Sequence, residues 1–382
     1  MSVDGRVSID LVCDGGRVVE AIVMPPRPIA LGPVVRGRPA REVVSVIGSL
    51  FSVCGIAQSA ASVEAAEAAL EIGTDRRTKQ ARRLLVFAET LREHLLRVGL
   101  DTASLAGEPA DGKSAHGKTL RRAMALPQRL KQALFPGGNA FVPGVCVGMP
   151  GAEAAETAAE ASYLTQSVVY EGEKPLGEMD RDAFAGWAME RSTVAARLIA
   201  PVLARGWAMI GHPETTNGGN GHFLKEASAD TSCLARQAGA PLVRAFLSEN
   251  GGAGLAARLA ARLVEASKLP GQIAGELAAL RDVADGSEVP TCEVFRDENG
   301  GRFATASAEA ARGRLEHRIV LNDDRIADYA ITAPTSIHFA ESGIAARSLS
   351  ALAASRREDL AVQADLLVRA IDPCVGYDVR FR

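Results

Sequence analysis

Two short segments at opposite ends of this 382-residue chain carry residues that could bind a metal. VCGIAQ occupies 53–58 and DPCVGY occupies 372–377, each with one cysteine, Cys54 and Cys374. In a Cys-x-x-Cys chelate a second thiol follows three residues on, but Ala57 and Tyr377 stand at those positions. A site assembled from both ends offers two thiolates, which suit soft metals and leave coordination positions open. The alternative for each is a core cysteine, because a lone buried thiol packs as a small hydrophobe.

Weaker patterns lie between them. His212 and His222 flank a glycine- and asparagine-containing loop ahead of Cys233, at no ligand spacing that defines a site, and read as surface histidines. Cys13, Cys146 and Cys292 sit beside valine, valine and threonine, as core cysteines do. GGNAF at 137–141 has no following lysine and is not a phosphate loop. Six cysteines without a close pair do not make a secreted disulfide framework.

Charged residues at 23% and apolar residues at 47% fit an ordinary folded chain. A net charge of -3 with 4% aromatics leaves no basic, aromatic-interleaved stripe for nucleic acid. The basic run from Arg76 to Arg83 falls on a helix, where it reads as a solvated face. The opening residues lack a signal-peptide pattern, and the most apolar stretch, 43–57, is too short to span a membrane. A cytoplasmic protein with no membrane partner is expected.

These residues need elements to position them. Alternation over 7–12 and 18–23 around Asp14-Gly15-Gly16 predicts a hairpin, and a loop over 25–39 leads to a helix over 42–53 that delivers Cys54 at its end. Helical periodicity marks 62–72 and 75–98, with Leu84, Leu85, Ala88, Leu91 and Leu95 as a buried stripe. A polar loop over 102–114 follows. Further helices are predicted at 118–134, 152–167, 181–204, 227–248, 254–266 and 271–283. Short strands follow between 289 and 305, at 316–321 and at 326–331, and a last helix over 350–370 runs into DPC. With no repeat and no linker, the expectation is an α+β, mainly α fold, one domain over 1–382 with a small β portion.

Three segments, in order, resemble the nickel-iron hydrogenase large-subunit superfamily. Val3-Asp4-Gly5, the turn at 14–16, Gly37-Arg38-Pro39 and Cys54-Gly55-Ile56 follow that superfamily's IEG, DGG-like turn, GR-x-P and RxCGxC. EAARGRLEH at 309–317 and AITAPTSIH at 330–338 match EAPRGxLxH and a later PT or PS pair, with Ala311 replacing the proline. DPCVGYDVR matches DPCxxCxxH. The resemblance implies that Cys54 and Cys374 are the terminal pair of thiols, and that the bridging pair has become Ala57 and Tyr377. Arg312 matches the arginine that hangs over the metals, and Pro334 and Thr335 the pair that meets a cyanide ligand. Asp4 matches the proton-carrying glutamate. Each has a plainer reading: Arg312 pairing with a carboxylate, Thr335 as a strand-end hydroxyl, Asp4 as a turn residue, Tyr377 filling a void. The side-chain ligands of the enzymes' structural metal fall on Gly32 and Arg380, and no residues after 382 correspond to the cleaved tail.

The loss of bridging cysteines most resembles the superfamily's accessory branch, the hydrogenase expression/formation proteins HupK and HoxV. That implies a non-enzymatic assembly scaffold, transiently holding an iron–cyanide–carbonyl unit without nickel. It would receive the unit from HypC and HypD type maturation proteins and serve a hydrogenase large subunit or other assembly chaperones. The alternative is a metal-free, large-subunit-like pseudoenzyme that acts as a binding partner or chaperone.

Overall fold

A computed structural model describes residues 5–26, 31–108, 115–172, 174–212, 230–249, 252–282, 288–289, 293–296 and 301–382. The chain opens with the predicted hairpin, β1 (Val7–Asp14) and β2 (Arg17–Met24). Gly15 and Gly16 both take positive φ (54° and 82°), as a two-residue turn twisted to match its strands requires. Helices α1 (Leu31–Val35), α2 (Ala40–Ile47), α3 (Gly55–Ala69), α4 (Arg76–Ala106), α5 (Ala115–Leu134), α6 (Ala152–Val168), α7 (Arg181–Glu190) and α8 (Val194–Ala204) follow, with the short strand β3 (Thr74–Asp75) before α4. Next come α9 (Cys233–Gln237), α10 (Pro241–Glu249), α11 (Leu255–Asp282), and strands β4 (Glu288–Val289), β5 (Val294–Arg296), β6 (Arg302–Ala310), β7 (Gly313–Asn322) and β8 (Arg325–Thr332). The C-terminal part is α12 (Pro334–His338), α13 (Ile344–Ser350), α14 (Arg357–Ile371) and β9 (Tyr377–Phe381). The fold is mainly helical with small sheets, as expected.

Helix α4 is the spine, 31 residues and thus roughly 46 Å long. Its stripe of Leu84, Leu85, Ala88, Leu91 and Leu95 is buried. Helix α3 is buried nearly all round, and its run of alanines lets it lie close between α4 and the antiparallel sheet β5–β6–β7–β8. Strand β7 alternates buried and exposed residues along its length, turning Leu315, His317 and Ile319 inward. A second apolar cluster joins β1 and β2 to Phe339, α13 and α14. Helix α14 divides itself between the two, giving Leu366 and Ala370 to the first and Leu367 and Val368 to the second.

Several elements differ from expectation. The 42–53 helix stops at Ile47, and Cys54 caps the start of α3 instead of ending α2. The cause is a backbone crossing of Gly48 and Gly55: a Cβ on Gly55 would lie 2.6 Å from the Gly48 carbonyl oxygen. The 181–204 helix breaks at Arg191, in the left-handed region, and restarts under a Thr193 side-chain cap. Helices 254–266 and 271–283 are one, α11, with Pro270 buried inside it. The 350–370 helix begins only at Arg357, as α14, because α13 ends at Ser350 and residues 351–356 are not helical. Among the basic run, Arg77 and Arg82 are buried. Arg82 makes a two-pronged ion pair with fully buried Glu67, at 2.8 and 3.0 Å.

Strand β9 had no sequence signal and matters most. It pairs parallel to β1, Val7 with Tyr377 through Leu11 with Phe381, giving the order β2–β1–β9. That pairing ties the end of the chain to its beginning. Among the described residues, no helix is long and apolar enough to cross a membrane.

Candidate functional site

Four separate turns converge on one small cavity lined by Cys54, Arg312, Pro334 and Cys374, with Gln58, Glu89 and Glu93 beside them. Cys54 sits where the glycine crossing reverses the chain into α3. Arg312 occupies the two-residue turn joining β6 to β7, where Ala310 pairs with Gly313. The φ of Gly313 is +140°, and a Cβ there would meet Pro334 at 2.9 Å, so glycine lets this turn tuck against α12. Pro334 and Thr335 form the first turn of α12, where proline fits without losing a helical hydrogen bond. Cys374 follows the end of α14, where Asp372 takes a left-handed conformation (φ 68°) and turns the chain toward β9.

Thr335 is not a strand-end hydroxyl. Its Oγ1 accepts the Cys374 backbone N–H at 3.1 Å and donates to Cys374 Sγ at 3.1 Å. Cys54 Sγ accepts from the Gln58 side-chain amide at 3.6 Å. Burial, together with the neighbouring Cys374 and Glu89, pushes the Cys54 thiol up to about 12, so it is protonated at neutral pH unless a cation replaces the proton.

Arg312 lines the cavity and also pairs with carboxylates. It donates to Glu93 at 3.0 Å and lies 3.4 Å from Asp372. Burial works to lower its pKa, but Asp372, Glu93 and the two cysteines together raise it, so the guanidinium stays charged. Its Nε is buried and has no hydrogen-bond partner among the described residues. Burial would raise the Asp372 carboxyl, yet Arg312, Arg97 and Arg262 hold it at about 2. Glu89 accepts the backbone N–H groups of Ile56 and Ala57 at 2.9 and 3.0 Å, and burial pushes it up to about 7 against the pull of Arg92 and those donors. The sequence reading assigned no role to Gln58, Glu89, Glu93 or Asp372. Glu89 and Glu93 were visible as acids four residues apart on a helix whose neighbouring face is apolar.

For an iron that already carries diatomic ligands the cavity would offer two sulfurs and one charged guanidinium, while the Thr335 hydroxyl is already bonded to Cys374. Its size does not match a loaded state, because the cavity holds about 10 Å³, room for about one water. Among the described residues, no three of His, Cys, Asp and Glu come together as a metal site. Ala57 is buried under Glu89. Tyr377 does not fill the cavity; its hydroxyl donates to Asp365 at 2.6 Å and accepts from Arg369 at 3.1 Å. Gly32 is buried in α1 while Arg380 is exposed on β9. Asp4, His222 and Cys292 lie outside the described residues. Cys13, Cys146, Cys233 and His212 are not at the cavity.

Compared with solved structures, the chain aligns over 94% of its length with 94% of a chain of the Ni-Fe-Se hydrogenase from D. vulgaris Hildenborough, at TM-score 0.65 and 16% identity. A chain of NAD+-reducing [NiFe]-hydrogenase aligns over 95% of this chain and 94% of its own, at TM-score 0.60 and 16% identity. The fold is that of a nickel-iron hydrogenase large subunit. Relatives by sequence are accessory proteins. "Hydrogenase expression/formation protein HupK" of Bradyrhizobium diazoefficiens is 30% identical over 397 residues, covering 100% of this chain and 99% of that protein. HupK of Rhizobium leguminosarum bv. viciae is 25% identical, covering 99% of this chain and 97% of its own length. "Hydrogenase expression/formation protein HoxV" of Cupriavidus necator is 27% identical, covering 93% and 91%. The chain belongs to this HupK family of hydrogenase expression/formation proteins. No family model matches it.

Proposed function

We propose that this protein is a non-catalytic maturation scaffold for nickel-iron hydrogenase, in which the whole chain acts as one large-subunit-like unit. It takes the iron–cyanide–carbonyl unit from HypC and HypD type proteins, holds it transiently on Cys54 and Cys374, and passes it to the hydrogenase large subunit. The observation that carries this reading is the shared cavity, which gathers two cysteines 320 positions apart with Arg312 and Pro334. There Arg312 would offer its charged guanidinium to cyanide and carbon monoxide ligands, with the Thr335 hydroxyl holding Cys374 beside it. With alanine at 57 and tyrosine at 377, nickel has no bridging thiols and hydrogen turnover has no site.

An iron with three diatomic ligands displaces roughly four waters' volume at about 30 Å³ each, so loading opens the cavity. Cys54 and Cys374 both lie in partly exposed segments, whereas Arg312 is buried.

The closed cavity also favours a second reading, a metal-free partner or chaperone that uses only the large-subunit shape. Complementation separates the two. In a strain lacking this protein, the chain with Cys54→Ala and Cys374→Ala fails to restore hydrogenase maturation under the first reading and restores it fully under the second.

A further inference from the structure

Strand β6 is paired along its whole length on one edge and only at its start on the other. Strand β7 pairs with it from Arg302 to Ala310, whereas β5 pairs only with Arg302, Phe303 and Ala304. Ala310 and Gly313 flank a two-residue turn and so exchange hydrogen bonds, which fixes the alternation along the strand. The backbone groups of Ala306, Ala308 and Ala310 face β7, and those of Thr305, Ser307 and Glu309 face the other edge. Beyond Ala304 no described strand pairs with that edge. An edge with unpaired N–H and C=O groups is a template for a further strand.

The edge opens on a groove of about 1280 Å³, lined by Ser307, Ala308 and Glu309 on β6 and by residues of α3, α4 and α11. That volume exceeds the roughly 300–1,000 Å³ of small-molecule pockets and suits a length of chain. Ala60, Val86 and Phe87 give it apolar surface. Its charges are sorted by element: among the lining residues α4 supplies the cations Arg76, Lys79, Arg82 and Arg83, while Glu64, Glu276, Asp282 and Glu309 come from the other elements. Arg82 and Arg83 are bonded to Glu67 and Glu276. Arg76 is exposed in the first turn of α4, a turn without an acid, so charge and helix dipole together favour an acidic group there. Groove and cysteine cavity are neighbours on the same elements: α3 gives Ala60 to one and Gln58 to the other, α4 gives Phe87 and Glu89, and β6 gives Glu309 and Ala310.

We propose that this groove takes an extended segment of another protein, which adds as a strand to β6 in line with β5. Apolar side chains on alternate residues of the segment pack on Ala60, Val86 and Phe87, and an acidic residue lies beside Arg76. A partner held in this way sits next to the cysteine cavity. The proposal uses neither cysteine and no cargo, so it stands or falls apart from the scaffold reading.

Two measurements test it. Residue-resolved amide exchange of the isolated protein is expected to be slow at Ala306 and Ala308 and at least about tenfold faster at Thr305 and Ser307. Equal protection along the strand overturns the proposal, because the edge is then already covered. The second places a photo-crosslinking benzoylphenylalanine at Gly275, which lines the groove and has nothing within 4 Å of an added Cβ, in a strain carrying the hydrogenase and its assembly genes. A crosslink to another protein is expected, within a segment of alternating apolar residues that includes an acid, and Ser307→Pro is expected to cut its yield about tenfold. Proline at 307 removes a donor that faces the groove and leaves the bonds between β6 and β7 in place. No crosslink, a crosslink only to this chain, a crosslinked segment of helical period, or an unchanged yield in folded Ser307→Pro overturns the proposal. If Ser307→Pro does not fold, Arg76→Glu, exposed and outside the strand, decides: a lowered yield supports the proposal and an unchanged one overturns it.

Discussion

The buried histidines give the protein a measurable acid lability. His317 is fully buried, and burial lowers its pKa from 6.5 to about 3; His338, buried beside Asp230 and Arg258, falls to about 4 for the same first reason. In the unfolded chain both titrate near 6.5, so between pH 6.5 and these values the unfolded state binds protons that the folded state refuses. The stabilisation is whole above 6.5 and is lost as pH falls through that value toward 3 for His317 and 4 for His338. Linkage at about 1.4 kcal/mol per pH unit makes the loss at pH 5 roughly 2 kcal/mol for each histidine. Urea unfolding of the unmodified protein and of His317→Gln at pH 7.5 and pH 5.0 isolates the His317 share by difference, because the Glu89 carboxyl, pushed up to about 7, takes up a proton in the folded state over the same interval and acts with the opposite sign. His317→Gln, which keeps polar atoms toward Gln58 and Tyr329, should lose about 2 kcal/mol less than the unmodified protein between the two pH values, whatever its stability at pH 7.5. An equal change in both proteins refutes the assignment of His317 as a buried neutral imidazole.

Other consequences follow from the same geometry. Arg82→Met leaves the Glu67 carboxylate buried without its partner, and denaturant unfolding should show a cost of about 3–5 kcal/mol. Gly48→Ala forces a Cβ to within 2.8 Å of the Gly55 carbonyl oxygen; the chain reversal before Cys54 should open, at about 1–3 kcal/mol in the same assay. Tyr377→Phe removes one hydroxyl that bridges Asp365 and Arg369 on the far side of the Cys374 loop. It should cost about 1 kcal/mol and leave maturation in cells unchanged, because the ring does not line the cavity.

The spacing of apolar residues revealed the long helices and the hairpin because burial follows period in amphipathic elements. It joined or divided helices wrongly where one residue decides. Pro270 reads as a break, yet it sits inside α11 on a helix packed along α4; Arg191 carries no glycine or proline signal, yet takes the left-handed turn that ends α7. Cys54, Cys374, Arg312, Pro334 and Thr335 were legible as separate motif positions. Their convergence depended on β9, a five-residue strand whose pairing with β1 is non-local, and on the β6–β7 turn that lifts Arg312 into the cavity. Glu93 and Asp372, which hold Arg312, come from α4 and from the turn after α14, so only packing of distant elements brings them to it.

If Cys54 and Cys374 together hold an iron–cyanide–carbonyl unit, infrared spectroscopy of protein isolated anaerobically after coexpression with the HypC and HypD machinery should detect it. Cyanide and carbon monoxide stretching bands are expected in the unmodified protein and lost when both cysteines are changed to alanine. A featureless spectrum in the unmodified protein, or bands that survive the double substitution, contradicts it.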